Sequence, residues 1–147
     1  MKQNRQVIPV AGLLATMAFA AYTVAQLNAQ TQPPTGNFTN AATAEVRDAQ
    51  GQVVLRGQFQ LAEEEDDDVE RKAKLEPTGV DADASGEAEV EFAKASPATQ
   101  EVEFSVRNVA PGVAFTFVID GVEVATATSD SRGRAEVELE VKMSLRP

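Results

Sequence analysis

The stretch EVEFSVR, residues 101–107, puts Val102, Phe104 and Val106 at every second position, with Glu101, Glu103, Ser105 and Arg107 between and around them. A period of two is the repeat of a β-strand, whose successive side chains point to opposite faces. The pattern therefore sends its apolar groups to a core and its charges to water. It recurs twice more. Ala88, Val90 and Phe92 alternate with Glu87, Glu89 and Glu91, and Ala135, Val137, Leu139 and Val141 alternate with Glu136, Glu138, Glu140 and Lys142. Strands with one wet face belong to antiparallel sheets.

Working outward, Val113 to Ile119 is nearly all apolar and is expected as a central strand covered on both faces. Val69 to Glu76 alternates less well, because Arg71 falls on the apolar side of Val69, Ala73 and Leu75. A helix over Ala62–Leu75 competes on propensity, but its apolar residues form no wide stripe, so a strand is the better reading. Asp48-Ala-Gln-Gly51 links a strand near Ala44–Arg47 to one over Val53–Phe59, Pro111-Gly112 is a turn, and Asp120-Gly121 between FTFVI and VEVAT is the favoured hairpin signal. Pro77–Gly86 and Ser129–Gly133 are longer loops. The expectation is an all-β fold, an antiparallel β-sandwich of about eight strands over residues 42–147.

An internal echo runs through it. DASGEAEVEF (83–92) matches DSRGRAEVEL (130–139) at six of ten positions, 47 residues apart. Two similar segments do not make a repeat protein; a turn followed by an acidic strand explains them as well as a duplicated half-domain does.

The chain begins differently. Lys2 and Arg5 precede an uncharged apolar stretch, Val7 to Ala25, which ends in the small residues of Thr23-Val-Ala25 and is followed by Leu27-Asn-Ala29. A basic start, an apolar run and a small residue at the cut describe a secretory signal peptide, here best cut after Ala25. The alternative is a retained anchor, since the run would reach roughly 28 Å as a helix, about the hydrocarbon thickness. Pro9, Gly12, Thr16, Tyr22 and Thr23 weigh toward the signal. Residues 1–25 are thus a signal peptide or membrane anchor helix, and the bulk of the chain is expected to be exported, whether periplasmic, extracellular or on the outer face of an inner membrane. Residues 26–41, with Pro33-Pro34 and Gly36, read as a flexible linker. In it, Phe38 is the candidate exposed contact, and Asn37-Phe-Thr39 fits the short N-glycosylation pattern.

Composition removes whole classes of chemistry. There are 13 Lys+Arg against 23 Asp+Glu, a formal net charge of −10, and no His, Cys or Trp. Without Cys there is no disulfide, thiolate ligand or thiol nucleophile, and without His the usual general base is missing. Nothing resembles a nucleophile elbow or an S-x-x-K site. Paired carboxylates can hydrolyse glycosides, but glutamates at strict strand alternation read as a solvated face, and the one Tyr lies in the apolar start. No enzyme is expected. The negative balance also opposes nucleic-acid binding and a polybasic grip on anionic lipid.

Two acidic features remain. Glu63-Glu-Glu-Asp-Asp-Asp68 reads first as a solvated loop and second as a collector of cations or of a basic partner. Asp81-x-Asp83-x-Ser85-Gly86 copies the first half of a calcium loop, with Glu87 following through its backbone carbonyl. At the twelfth position, where a bidentate Glu belongs, stands Phe92. That excludes an EF-hand and leaves Asp81, Asp83, Ser85 and Glu87 as the candidate metal ligands of a looser site, against the plainer reading of an Asp-rich turn.

The run EVEFSVRNVAPGVAFTFVIDGVEVATATSDSRGRAEVEL (101–139) resembles a pattern of small exported bacterial β-sandwich proteins of unassigned function, and is distantly similar to chordin-like (CHRD) repeats. The resemblance covers about the last 80 residues and rests on structural motifs, so it implies fold and export and carries over no active-site residue. The expected function is a binding or structural module at the cell envelope, with a protein partner there. The alternatives are an accessory subunit anchored by residues 7–25 and a calcium-binding extracellular domain; no other cofactor is implied.

Overall fold

The computed structural model describes residues 34–64 and 67–143. Nine strands follow in order: β1 (Thr43–Arg47), β2 (Val53–Gln58), β3 (Gln60–Glu64), β4 (Asp68–Pro77), β5 (Ser85–Ala93), β6 (Thr99–Arg107), β7 (Ala114–Ile119), β8 (Val122–Thr128) and β9 (Ala135–Lys142). Every ladder between them is antiparallel, and no helix occurs among the described residues. The all-β, antiparallel expectation holds. Hydrogen bonds draw one sheet, in the order β8-β7-β1-β2-β4-β5-β6-β9 with β3 also on β4, and the sheet curls until β8 approaches β9 without a ladder between them. The result is a nearly closed barrel.

The curl begins where β2 becomes β3. Leu55 pairs with Pro77, Arg56 with Glu76, Gln60 with Lys72 and Leu61 with Arg71, so β2 and β3 hold one register along β4 and form a single bent strand with Phe59 at the corner. Gly57 makes the bend possible: a Cβ there would lie 2.3 Å from the Lys74 carbonyl oxygen. Sequence alternation finds β2 but not β3, because all five residues of β3 are exposed and impose no period of two. The helix alternative over 62–75 fails for the described residues: β4 is a ten-residue strand paired with β5 from Asp68 to Leu75.

Alternation places the core as expected. Ala88, Val90, Val102, Phe104, Val106, Ala135, Val137 and Val141 are all buried, while Glu87, Glu91, Glu101, Glu103, Glu136, Glu138 and Glu140 stay exposed. The Phe104 ring on β6 meets Phe117 on β7, with centroids 5.0 Å apart and planes tilted by 56°, which ties the two halves of the barrel together. Phe117, Val118 and Ile119 are consecutive and all buried, in keeping with a strand covered on both faces.

The described part of the expected linker is not a spacer. Phe38 is 2% exposed and joins the core, Ala41 is fully buried, and Thr35 bridges to Lys142 of β9. The Phe38 N–H donates to Gln100 Oε1 at 2.7 Å, and Gln100 Nε2 donates to the Pro97 carbonyl at 3.2 Å, so a fully buried amide is satisfied at both ends. Phe38 as an exposed contact is therefore wrong: one aromatic in a polar, Pro-containing segment looked like bait for a partner, and it is the plug of the barrel's own end.

The echo segments are β5 and the turn leading into β9. They flank β6 on either side, with Gly86 and Ala135 both opposite Val106, and Ala88 and Val137 both opposite Phe104. Their turns differ. The Asp130 carboxylate accepts from the Arg132 and Arg134 N–H groups at 2.8 and 2.9 Å, and these bonds hold it below its usual range. The turn before β5 is instead closed by the Ala84 N–H on the Asp81 carbonyl, at 3.4 Å.

Candidate functional site

Four neighbouring strands, β4, β5, β6 and β9, turn their polar side chains to one outer face. Register aligns these into cross-strand rows: Glu70–Glu91–Glu101–Glu140, then Lys72–Glu89–Glu103–Glu138, then Lys74–Glu87–Ser105–Glu136. These three rows hold nine glutamates and two lysines, and Lys142, next along the outer side of β9, adds a third lysine 3.5 Å from Glu140. Five Glu–Glu pairs stand directly opposite one another, an arrangement that costs a few tenths of a kcal/mol per pair, up to about 1.

Two hollows open on this face. One, of about 430 Å³, is lined by Glu91, Thr99, Glu101, Glu138 and Glu140 among others. The other, of about 280 Å³, is lined by Glu63, Asp68, Glu70, Glu89 and Glu91. Beside the second hollow the Lys72 ammonium binds Glu70 closely and lies 3.4 Å from Glu89. The bond from Lys72 holds Glu70 below the usual carboxylate range, and the two carboxylates hold Lys72 well above its own. Burial, and then the adjacent Glu70, push Glu89 upward. One lysine thus serves two glutamates, while Lys74 pairs with Glu76 at 3.1 Å and Lys142 with Glu140 at 3.5 Å.

The opposite surface is organised differently. Glu45 on β1 receives Arg47 at 2.8 Å and Arg56 of β2 at 2.8 Å, and its carboxyl is held down chiefly by the bond from Arg47. Asp120, at the β7–β8 hairpin with φ 48°, accepts from the Ala42 and Thr43 N–H groups and anchors the start of β1.

The candidate calcium ligands are spread out. Asp81 and Asp83 lie in the loop before β5, with Asp83 exposed, whereas Ser85 and Glu87 are already in β5, paired with Arg107 and Ser105. Among the described residues no group of three or more Asp or Glu is arranged to hold a metal ion. Of the acidic run, Glu63 and Glu64 end β3 and Asp68 begins β4; Glu65 and Asp66 lie outside the described residues, as does the expected signal or anchor of residues 1–25. Asn37 is exposed, and its Oδ1 accepts from Thr39 N–H and Oγ1 at 3.1 and 2.7 Å. No helix of the described residues is long and apolar enough to cross a membrane.

The carboxylate rows were missed as a site because each glutamate, read strand by strand, is an ordinary solvated position. Only the pairing register shows that they stand opposite one another. Comparison with known proteins finds no matching family model, no similar curated protein and no similar solved structure.

Proposed function

We propose that this protein is an exported, non-enzymatic β-domain of the cell envelope that binds a basic protein partner through the outer face of β4, β5, β6 and β9. One observation carries the reading: five directly opposed Glu–Glu pairs stand there, while arginines that could neutralise them, Arg47 and Arg56, serve Glu45 on another face. Like charges directly opposed across neighbouring strands work against the fold, and their presence is best explained by what they attract. A two-layer, sandwich-like description belongs to the same proposal, with β4, β5, β6 and β9 as one layer, β8, β7, β1 and β2 as the other, and Phe104 against Phe117 between them. So do export and the distant likeness to chordin-like repeats, which rest on the basic and apolar start and on residues 101–139.

Purification from the native envelope tests both halves. A mature chain starting near Gln26 supports export by a cleaved signal, whereas retention of Met1 makes the domain an anchored subunit. A basic protein should co-purify at low salt and be lost from the variant Glu91→Gln/Glu101→Gln/Glu103→Gln/Glu138→Gln. Equal recovery with both forms would remove the acidic face from the function.

A further inference from the structure

Among the described residues β9 ends the sheet, and no named strand pairs with its second edge at the seam of the barrel. The Met143 N–H donates to the Ala98 carbonyl at 2.8 Å, beside the Thr99–Lys142 pair. In an antiparallel ladder this makes Thr99–Lys142 a pair that is not bonded to itself and Gln100–Val141 a bonded one, with the types alternating along the strand. Val137, Leu139 and Val141 thus bond to β6, while Glu136, Glu138, Glu140 and Lys142 turn N–H and C=O toward the seam. No ladder with β8 receives them. At one end of this edge an isolated parallel bridge joins Thr35 to Lys142.

Side chains along this edge add a second code. Those of Glu136, Glu138 and Glu140 point to the acidic outer face, and the half-buried Leu139 lies beside buried Val137 and Val141 on the other. The hollow lined by Glu101, Glu138 and Glu140 lies alongside. Pairing of β9 with β9 of a second copy would set glutamates against glutamates, so the edge discriminates against self-association.

We infer that the β9 edge is an acceptor for an extended segment of a partner protein in which lysine or arginine alternates with apolar residues, added to the sheet beside Glu136–Glu140. Backbone bonds supply the register, the glutamates meet the basic side chains, and the apolar ones continue the row of Val137, Leu139 and Val141. The inference rests on the reading of the acidic face as a binding surface and adds the mode and chemistry of the partner.

The test uses the full chain and a synthetic peptide of alternating lysine and valine, as long as β9. A second peptide of the same sequence is N-methylated on every other residue, so that it keeps its charge and loses the backbone donors of one edge; methylation is placed in turn on each set. At low salt the unmodified peptide should bind at least about tenfold more tightly than one of the two methylated forms, and slow amide exchange at Glu136, Glu138 and Glu140 by about tenfold. If all three peptides bind alike without slowing those amides, the edge inference fails and a purely electrostatic face survives. If none binds, both readings fail.

Discussion

Two acidic regions of the molecule handle charge in opposite ways. Around Glu45 one carboxylate is met by Arg47 and Arg56, both at 2.8 Å. Across β4, β5, β6 and β9, nine glutamates share two lysines in the same rows and face one another in five pairs. The chain is thus able to build a neutralised carboxylate site and builds one where β1 and β2 meet. Register alone explains the difference in geometry: alternating Glu in β5, β6 and β9 must come into rows once Phe104 is opposite Ala88 and Val137. The comparison teaches that the apolar face decides the pairing and that the charged face inherits it.

The largest effects should lie with the face that decides. Phe104→Ala should cost about 3–5 kcal/mol, since the side chain is fully buried against Phe117, whereas Glu103→Ala beside it should change stability by under about 0.5, toward the more stable side. Urea unfolding of both variants reads this directly, and costs in the reverse order would reverse the two faces. Next comes the end plug. Gln100→Leu removes the acceptor of the Phe38 N–H and should cost about 1–3 kcal/mol. The loss should be accompanied by faster proteolysis near Phe38.

This middle prediction also marks where sequence reading stops. Strands with one apolar face were legible because a period of two survives in the string: Val102, Phe104 and Val106 needed no structure. Phe38 and Gln100 were not, because their partnership joins positions 62 residues apart and neither belongs to a periodic run. β3 was invisible for the complementary reason, since nothing on it is buried. The acidic face was half legible. The glutamates could be assigned to water, but their mutual opposition needs register between strands, and no single-strand pattern contains that.

Smaller effects separate the two carboxylate environments by pH. Glu45 is held below its ordinary 4.5, so its stabilising contribution is present above that value and is lost as pH falls below it. Glu89 is pushed above 4.5, so the fold favours its protonated form; that contribution is full below 4.5 and is lost as pH rises through the raised value. Glu45→Gln should therefore flatten the acid limb of the stability–pH curve, and Glu89→Gln should improve stability at neutral pH. Melting curves from pH 3 to 7 would show it; changes of the same sign in both variants would erase the distinction drawn between the two regions.

Ions should produce the smallest shift. Asp81, Asp83, Ser85 and Glu87 stand in a loop and an adjoining strand with Phe92 at the closing position, so millimolar calcium should raise the melting temperature no more than sodium chloride of matched ionic strength. An excess shift with calcium, abolished in Asp81→Asn/Asp83→Asn, would turn that loop into a site.

The central claim is that the rows on β4, β5, β6 and β9 oppose folding and are present for what they attract. The stability of Glu91→Gln/Glu101→Gln/Glu103→Gln/Glu138→Gln, which removes a charge from every one of the five opposed pairs, tests it most directly. Urea unfolding at low salt should find the variant more stable than the native chain by about 1–2 kcal/mol, with the gap closing at high salt. A variant less stable than the native chain at low salt would mean that the glutamates support the fold, and the claim would fall.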